Sequence, residues 1–362
     1  MNENNIRGGY RIYCLMHFFI LFAVLVKAQG LFSPRILHAQ LKESTAVQSK
    51  VTLLADQVKD QDDLCIWVHP ADRGSSTIIT SDKEAGRIFV YDLEGQLLQE
   101  IPVEKPGNID IRQGVKLHGK PIDLVAVNNR HGDFSLVVFQ VDPKTRKLAR
   151  IDTGISTGPN YGGCLFHSRK SGKLYFICTS KPGMIQQYEL TVSGKNRVKG
   201  EMVRQWKIGK SEGAVADDAR GLLYIGEEEK GVWMLSAEPD SPTPGELVVR
   251  VGENGITGDI EGLALMQQES GKSTLIVSDQ GTSRFLLFEC NKDHKYLGNF
   301  KIEGAKNTDG IEFMSGRFGP QFPAGLFGCH TDTDRCAILL SSWKDIAEHL
   351  KQSVGSNDIN SK

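Results

Sequence analysis

Two carboxylates stand two residues apart in the stretch GDIEGL, at Asp259 and Glu261. The surrounding residues are typical of the start of a β-strand, in which residues i and i+2 point to the same face. Two like charges held that close repel each other unless a cation lies between them. The spacing therefore predicts a cation-binding pair, although a DxE pair taken alone is more often a solvated turn.

Other acidic and basic residues flank short apolar runs in the same way. The acidic residues, together with one tyrosine, are Asp62, Asp63, Tyr161, Glu212, Glu227, Glu228, Asp259, Glu261 and Asp309. The basic residues are Lys83, Arg130 and Lys181. Oxygen ligands without His or Cys favour Ca²⁺ over a transition metal, and Lys and Arg bind phosphate. If these side chains converge, the sequence predicts a calcium cluster that accepts a polyanionic phosphate.

The elements that must position these residues are short β-strands, because helical periodicity is scarce before residue 340. One unit of four strands recurs six times with a period of about 40 to 50 residues, which is typical of a propeller. We therefore predict an all-β fold, a six-bladed β-propeller of four-stranded antiparallel blades; two separate sandwiches are the alternative. The segment VTLLADQ is expected to pair with the last blade and close the ring. The units begin at Asp63, Asp110, Tyr161, Glu212, Glu261 and Asp309.

The spacing within the repeats brings the charged residues to one end of the propeller. The same interval of 20 residues separates Asp63 from Lys83, Asp110 from Arg130, and Tyr161 from Lys181. Each interval joins the start of a first strand to the end of its antiparallel second strand, so both points lie at the same end of a blade. We expect that end to open at the central channel, where residues distant in sequence meet.

The chain has 362 residues, which is long enough for one large domain or two ordinary ones. It is 24% charged with a net charge of −1, so it lacks the excess of basic residues that is typical of nucleic-acid-binding proteins. Arg7 and Arg11 precede an apolar run that is too short to span a bilayer, and Val26-Lys27-Ala28 offers a cleavage pattern. We predict a signal peptide at residues 1–28, a propeller domain at 43–350 and a polar tail at 351–362. The protein is then periplasmic or secreted, with no membrane association after cleavage.

Six of the seven cysteines follow the expected cleavage site. Export permits disulfides, and Cys329 and Cys336, which flank the polar loop HTDTDR, are the best candidates for a bridge, although the sequence leaves open whether it forms. The others are expected to be buried thiols in strands. The sequence contains no CxxC and no HExxH, so neither a zinc motif nor a thiol redox motif is present.

Several long stretches, in order from about Asp62 to Trp343, resemble the β-propeller phytases, which are calcium-dependent alkaline phytases of bacilli and many Gram-negative bacteria. The stretches are DDLCIWVHP, NIDIR, the Asn-Arg of VNNR, YGGCLFHSRKSGKLYF, QQYEL, SEGAVADDARGLLYIGEEEKGVW, SAEPD, DIEGL, TDGIE and FPAGLF. The resemblance implies a six-bladed propeller that hydrolyses myo-inositol hexakisphosphate (phytate) stepwise, as a monomer, with phytate taken as its calcium complex.

The resemblance also implies residue roles. Positions that hold several calcium ions or orient the attacking water are Asp62, Tyr161, Glu212, Asp259 and Glu261, with Glu228 and Asp309 as further acidic site positions. Tyr161, Glu212, Asp259 and Glu261 are the expected catalytic residues. Positions that bind substrate phosphate are Lys83, Arg130 and Lys181. The mechanism implied is in-line attack by a calcium-bound water, without a covalent phosphoenzyme.

Two stretches depart from the family pattern. The approach to the TDG stretch is only GAKNTDG, and CHTDTDR, with His330, Asp332 and Asp334, replaces a QDG-type stretch. An acidic counterpart near Lys50 is also missing. These departures concern peripheral calcium sites rather than the central cluster, and fewer sites imply weaker stabilisation by calcium. The alternative function is a non-catalytic, calcium-stabilised extracellular propeller that binds a partner or glycan.

Overall fold

The computed structural model describes residues 46–358, except residues 118, 195–196, 244 and 268–270. The expected signal peptide and the first residues of the expected propeller domain lie outside the described residues. Nearly all of the described chain consists of short antiparallel strands grouped into six sheets. The sheets follow one another along the chain as blades.

The first three blades use consecutive strands. Blade 1 contains β2 (Gln61–Trp67), β3 (Thr77–Asp82), β4 (Arg87–Tyr91) and β5 (Leu97–Pro102). Blade 2 contains β6 (Pro106–Leu117), β7 (Lys120–Asn129) and β8 (Ser135–Asp142), and its outer position is shared by β9 (Lys147–Arg150) and β10 (Ile155–Ser156). Blade 3 contains β11 (Gly163–His167), β12 (Leu174–Cys178), β13 (Met184–Ser193) and β14 (Arg197–Lys207).

Blades 4 and 5 follow the same plan, and blade 6 does not. Blade 4 contains β15 (Ser211–Asp217), β16 (Leu222–Glu227), β17 (Gly231–Ser236) and β18 (Glu246–Arg250). Blade 5 contains β19 (Ile260–Gln267), β20 (Ser273–Asp279), β21 (Arg284–Glu289) and β22 (Tyr296–Phe300). Blade 6 contains β23 (Ile311–Ser315), β24 (Gly325–Thr331), β25 (Ala337–Ser342) and, as its fourth strand, β1 (Val51–Leu53).

The six blades form one closed ring. Their first strands contact one another in the cycle β2, β6, β11, β15, β19, β23 and back to β2. Strand β1 pairs antiparallel with β25, with Val51 opposite Leu340, so the segment VTLLADQ closes the ring as predicted. The predicted six-bladed propeller is confirmed, and the alternative of two separate sandwiches is wrong.

The hydrophobic core lies between neighbouring blades. Its buried apolar residues form six clusters, and each cluster joins two adjacent sheets. The cluster between blades 1 and 2, for example, contains Trp67 and Phe139, both fully buried. Because both faces of each blade pack on a neighbour, the strands read as continuous apolar runs rather than alternating ones. This packing holds the first strands in place around the central channel.

A helix, α1 (Trp343–Asp358), follows the last strand. Trp343, Ile346 and Leu350 are spaced three and four residues apart, so they share one face of the helix and pack against the cluster between blades 5 and 6. The expected domain boundary at residue 350 therefore falls inside a helix, and residues 351–358 are helical rather than a tail. Among the described residues, no helix is both long and apolar enough to cross a membrane.

Cys329 and Cys336, the candidate pair for a disulfide, are both free thiols. Cys329 lies on β24 within the apolar cluster between blades 5 and 6. The Cys336 thiol instead faces the polar loop, where it donates to Asp332 Oδ1 at 3.5 Å. Flanking a short loop did not bring the two sulfur atoms together, since one side chain points into the core and the other points away from it.

Candidate active site

Bulges at the starts of first strands aim three carboxylates out of their sheets. In β2 the pairing passes from Gln61 to Asp63 with Asp62 left over, and in β15 and β19 the extra residues include Glu212 and Glu261. A bulge leaves its extra residue outside the ladder and redirects the side chain. These three side chains therefore reach the end of the channel instead of lying on a blade face.

Two glycines that follow these glutamates let the first strands approach closely. A Cβ atom at Gly213 would collide with the carbonyl oxygen of Glu261, and one at Gly262 would collide with that of Asp309. Gly262 N–H donates to the Asp309 carbonyl at 3.0 Å, which joins blade 5 to blade 6. The Glu-Gly sequence thus supplies a carboxylate and, next to it, the space that the neighbouring blade needs.

Three glutamates from two blades form the centre of the site. One carboxylate oxygen from each of Glu212, Glu228 and Glu261 lies within 4.8 Å of the others, and all three residues are buried. Burial, followed by the charges of Glu212 and Glu228, raises the pKa of Glu261 well above its usual range. Burial also raises the pKa of Glu212 to about 7, against the opposing effect of Arg130. Burial raises the pKa of Glu228 as well, so all three carboxyls hold a proton more tightly than exposed glutamates do.

Two basic side chains bridge acidic residues around this trio. Lys83 Nζ lies 3.0 Å from Asp62 Oδ1 and 3.6 Å from Asp309 Oδ2. Arg130 Nη2 lies 2.5 Å from Asp62 Oδ2 and also contacts Glu212. Burial alone would raise the pKa of Asp62, but the charges of Arg130 and Lys83 outweigh it and lower that pKa. Burial and Asp62 raise the pKa of Asp309 to about 7.

Tyr161 lies between the carboxylates and the remaining basic residue. Its hydroxyl is hydrogen-bonded to Glu212, and burial together with the Glu212 charge raises its pKa. Lys181 Nζ lies 4.5 Å from the centre of the Tyr161 ring, and Arg130 Cζ lies 4.8 Å from it. An aromatic face attracts a cation without neutralising it, so the side chain can still bind an anion. The structure thus brings Lys83, Arg130 and Lys181 to the same end as the carboxylates.

Comparison with known proteins identifies the family. The family model described as Phytase matches residues 20–362. The chain is also 37% identical over 309 residues to a 3-phytase of Bacillus subtilis (strain 168), covering 80% of this chain and 81% of that protein. The chain belongs to the phytase family. It is therefore an enzyme, which excludes the non-catalytic propeller considered from the sequence.

A solved structure was also found, that of Chaetomium thermophilum Sqt1 bound to the N-terminus of the ribosomal protein L10. It is 14% identical, covers 72% of this chain and 68% of that chain, and has a TM-score of 0.41. At that score the likeness carries no argument about the phytase.

Asp259 differs from its expected geometry. It precedes β19 with a φ of 54°, which is left-handed rather than extended, so it does not share a strand face with Glu261 in the way the sequence suggested. Asp259 is exposed, whereas Glu261 is buried. Asp259 still lies at the mouth, because its charge acts on Glu228 and Lys210 and it lines a cavity with Asp309.

Two other residues of the predicted acidic set have different partners. Glu227 accepts a hydrogen bond from Trp233 Nε1 at 2.8 Å and pairs with Lys230 at 2.8 Å, so it points away from the trio. Asp63 lies in the channel, where its carboxylate accepts the N–H of Ile109 at 3.1 Å. Each lies next to a residue that does reach the cluster, Glu228 or Asp62. The neighbours point in different directions because β16 ends at Glu227 and because Asp62 lies in the bulge of β2.

Three further residues lie in the candidate site and were missed from the sequence. Lys210 pairs with Glu228, Asp60 pairs with Lys83 at 3.3 Å, and Gln280 donates to Asp309 Oδ1 at 2.5 Å. The repeat contained a signal for Gln280, which follows its second strand as Lys83 follows β3. Lys210 and Asp60 each lie two residues before a site carboxylate, Glu212 or Asp62.

The donor atoms at the mouth of the phytase suit calcium. They are carboxylate and phenol oxygens, the hard ligands that Ca²⁺ prefers. Among the described residues, Glu228 Oε1 and Glu261 Oε2 are buried carboxylate oxygens without a hydrogen-bond partner. A buried unpaired oxygen is costly unless a cation or a proton satisfies it. The residues present therefore fit the calcium that the sequence predicts.

Proposed function

We propose that this phytase is an exported, calcium-dependent phosphomonoesterase that hydrolyses phytate stepwise. The observation that carries the proposal is the buried trio of Glu212, Glu228 and Glu261, flanked by basic side chains at one end of the channel. The Glu residues, with Asp62, Tyr161, Asp259 and Asp309, are the proposed calcium ligands. Calcium bound there would neutralise negative charge on the reacting phosphate and activate water.

The basic residues are proposed to bind and orient the substrate. Phytate is a polyanion, and Lys83, Arg130 and Lys181 approach the mouth from three successive blades. Lys83 and Asp259 also line a cavity of about 360 Å³ beside the cluster. Basic side chains around an open mouth can hold one phosphate beside the proposed calcium cluster while the other phosphates remain in solvent. This arrangement supports stepwise release.

Glu212 and Tyr161 are proposed to orient the attacking water beside the phosphate. Burial raises the pKa of Glu212 to about 7 in the metal-free protein, and calcium bound there would replace that proton, so the carboxylate is proposed as a ligand and not as a proton carrier. Tyr161 donates its hydroxyl hydrogen bond to Glu212 and fixes the orientation of that carboxyl.

We also propose that the mature protein begins after Ala28, is periplasmic or secreted, and acts as a monomer on the calcium complex of phytate.

Phosphate release from calcium phytate tests the proposal directly. We expect release by the purified protein, loss of release when EGTA is added, and recovery when calcium is restored in excess. EGTA already saturated with calcium is the control and should have no effect. Chromatography of the products should show successive lower inositol phosphates. Release that EGTA leaves unchanged would contradict calcium dependence, and no release in any condition would contradict phytate hydrolysis.

Lys181→Ala separates phosphate binding from metal binding. Lys181 is exposed, rests on Tyr161 and makes no ion pair among the described residues. Losing one charge-assisted contact to phosphate should lower kcat/KM by about tenfold, mainly through KM. Calcium-dependent thermal stability should remain unchanged. Steady-state kinetics and thermal melts with calcium are the measurements.

Lys170→Ala is the matched control for that variant. Lys170 lies in the turn between β11 and β12, at the other end of blade 3, and pairs with Asp240 at 3.4 Å on the surface. This variant should match the wild type in both measurements. Equal kcat/KM values for Lys181→Ala and Lys170→Ala would show that Lys181 does not bind substrate.

A further inference from the structure

A second group of ligand-type side chains lies where blade 6 meets blade 1. One ligand atom from each of Asp60, His330 and Cys336 lies within 4.8 Å of the others. His330 is on β24, Cys336 directly precedes β25, and Asp60 directly precedes β2. The backbone holds them there, since Asp60 and Cys336 form a β-bridge and Gln61 N–H donates to the Cys336 carbonyl at 3.3 Å.

The imidazole of His330 has one nitrogen without a partner. His330 is 1% exposed, and its Nε2 makes no hydrogen bond within the described part of the chain. Its Nδ1 accepts a hydrogen bond from the main-chain N–H of Asp309 at 3.1 Å and lies 3.6 Å from the carboxylate Oδ2 of that residue. Metal-binding histidines commonly use one nitrogen as ligand and direct the other to a carboxylate. A buried Nε2 of this kind needs an acceptor or a metal.

The Cys336 thiol, beside His330, makes only long hydrogen bonds. Its contacts are Asp332 Oδ1 at 3.5 Å and the Thr333 carbonyl at 3.7 Å. Burial and the nearby carboxylates raise its pKa to about 12, so without a metal the sulfur keeps its proton. A dication would displace that proton, because coordinated thiols are deprotonated.

We propose that Asp60, His330 and Cys336 form a binding site for a transition-metal dication of the Zn²⁺ class. Sulfur and imidazole nitrogen favour Zn²⁺ and similar ions over Ca²⁺, which separates this site from the oxygen-only cluster at the mouth. On binding, Cys336 releases one proton to solvent, and the imidazole proton moves from Nε2 to Nδ1, which gives up the hydrogen bond that it accepts from Asp309 N–H and turns to donate to Asp309 Oδ2. All three residues line the cavity that Asp332 and Lys83 also line.

The placement implies a structural role for the metal. Asp60 belongs to the first blade, and the other two ligands belong to the last. A metal on all three would link the two blades at the point where the ring closes, in addition to the pairing of β1 with β25. Such a link adds stability by mass action, and the gain does not depend on phosphate chemistry.

Cobalt titration of the mature full-length protein, kept in excess calcium, tests the site. Excess calcium occupies competing carboxylates, and Co²⁺ reports a thiolate ligand through its charge-transfer absorption. We expect one equivalent of Co²⁺ to give this absorption, Zn²⁺ to displace it, and Zn²⁺ to raise Tm. Cys336→Ala should abolish the absorption, and His330→Gln should weaken binding by more than the roughly 10- to 100-fold that an outer partner costs.

Cys329→Ala is the matched control, because Cys329 is a buried thiol on the same strand as His330 but points into the apolar cluster. This variant should bind Co²⁺ like the wild type. Absence of Co²⁺ binding, or binding with the same absorption in Cys336→Ala, would overturn the proposal. Neither result bears on phytate hydrolysis, which the chelator experiment tests separately.

Discussion

Replacing Glu261 by glutamine is expected to lower kcat for phytate by about 10²-fold or more, the size expected when charge stabilisation is lost at a reacting centre. The carboxylate lies within 4.8 Å of Glu212 and Glu228, and its Oε2 is buried without a partner in the described chain. Glutamine keeps the shape and removes one negative charge, so calcium affinity should also fall. Kinetics and calcium titration of the same preparation measure both effects.

The same substitution should stabilise the metal-free protein. Burial and, after it, acidic neighbours raise the pKa of Glu261, so a neutral amide avoids the desolvation and the repulsion that the ionised carboxylate has. Glu227→Gln is the matched control, because Glu227 is also a buried glutamate but pairs with Trp233 and Lys230 away from the trio. Full activity and full calcium affinity in Glu261→Gln would show that Glu261 is not a calcium ligand.

Calcium is expected to raise Tm strongly above neutral pH and little in mild acid. In the metal-free protein, burial and acidic neighbours raise the pKa of Glu212 and that of Asp309 to about 7. In the unfolded chain these carboxyls lose their protons near pH 4. Between about pH 4 and pH 7 the native state holds more protons than the unfolded state, so stability falls as pH rises.

Calcium reverses this trend, because it replaces the protons on the same oxygens. A site filled at about 1,000 times its Kd contributes about 4 kcal/mol, on the order of 10 °C in Tm for a domain of this size. The pKa of Asp62 is lowered in the folded protein, so its effect on stability has the opposite sign. Asp62 stabilises the fold when ionised, and this contribution is lost only in stronger acid. Melts with calcium or EDTA at about pH 5 and about pH 8 measure the effect. Equal Tm values at the higher pH would contradict the calcium cluster.

The arrangement of the blades could be predicted from the sequence because it depends on period and register. An antiparallel hairpin places the end of the second strand beside the start of the first, whatever the side chains do. Lys83 follows β3 and reaches Asp62 near the start of β2, as the constant spacing required. Most of the predicted blade arrangement therefore depended on backbone geometry that repeats six times.

Side-chain direction could not be predicted in the same way. The left-handed φ of Asp259 and the bulge at Glu261 and Gly262 depend on local packing against the Asp309 backbone, which no spacing reveals. The unpaired thiols of Cys329 and Cys336 show the same limit, because a short loop brings two strands together without aligning two sulfur atoms. Asp259, Glu261 and Cys336 all lie at or next to a strand end, where alternation no longer determines the face.

The pairing of β1 with β25 also sets the order in which the protein can be completed. Val51 is synthesised early, but its partner Leu340 comes 289 residues later (340 minus 51). Blades 1 to 5 use consecutive strands and can form as the chain emerges, whereas blade 6 has to wait for both ends. A ribosome that stops before β25 therefore releases an open ring whose first strand is unpaired, and such a fragment presents an exposed strand edge to other chains.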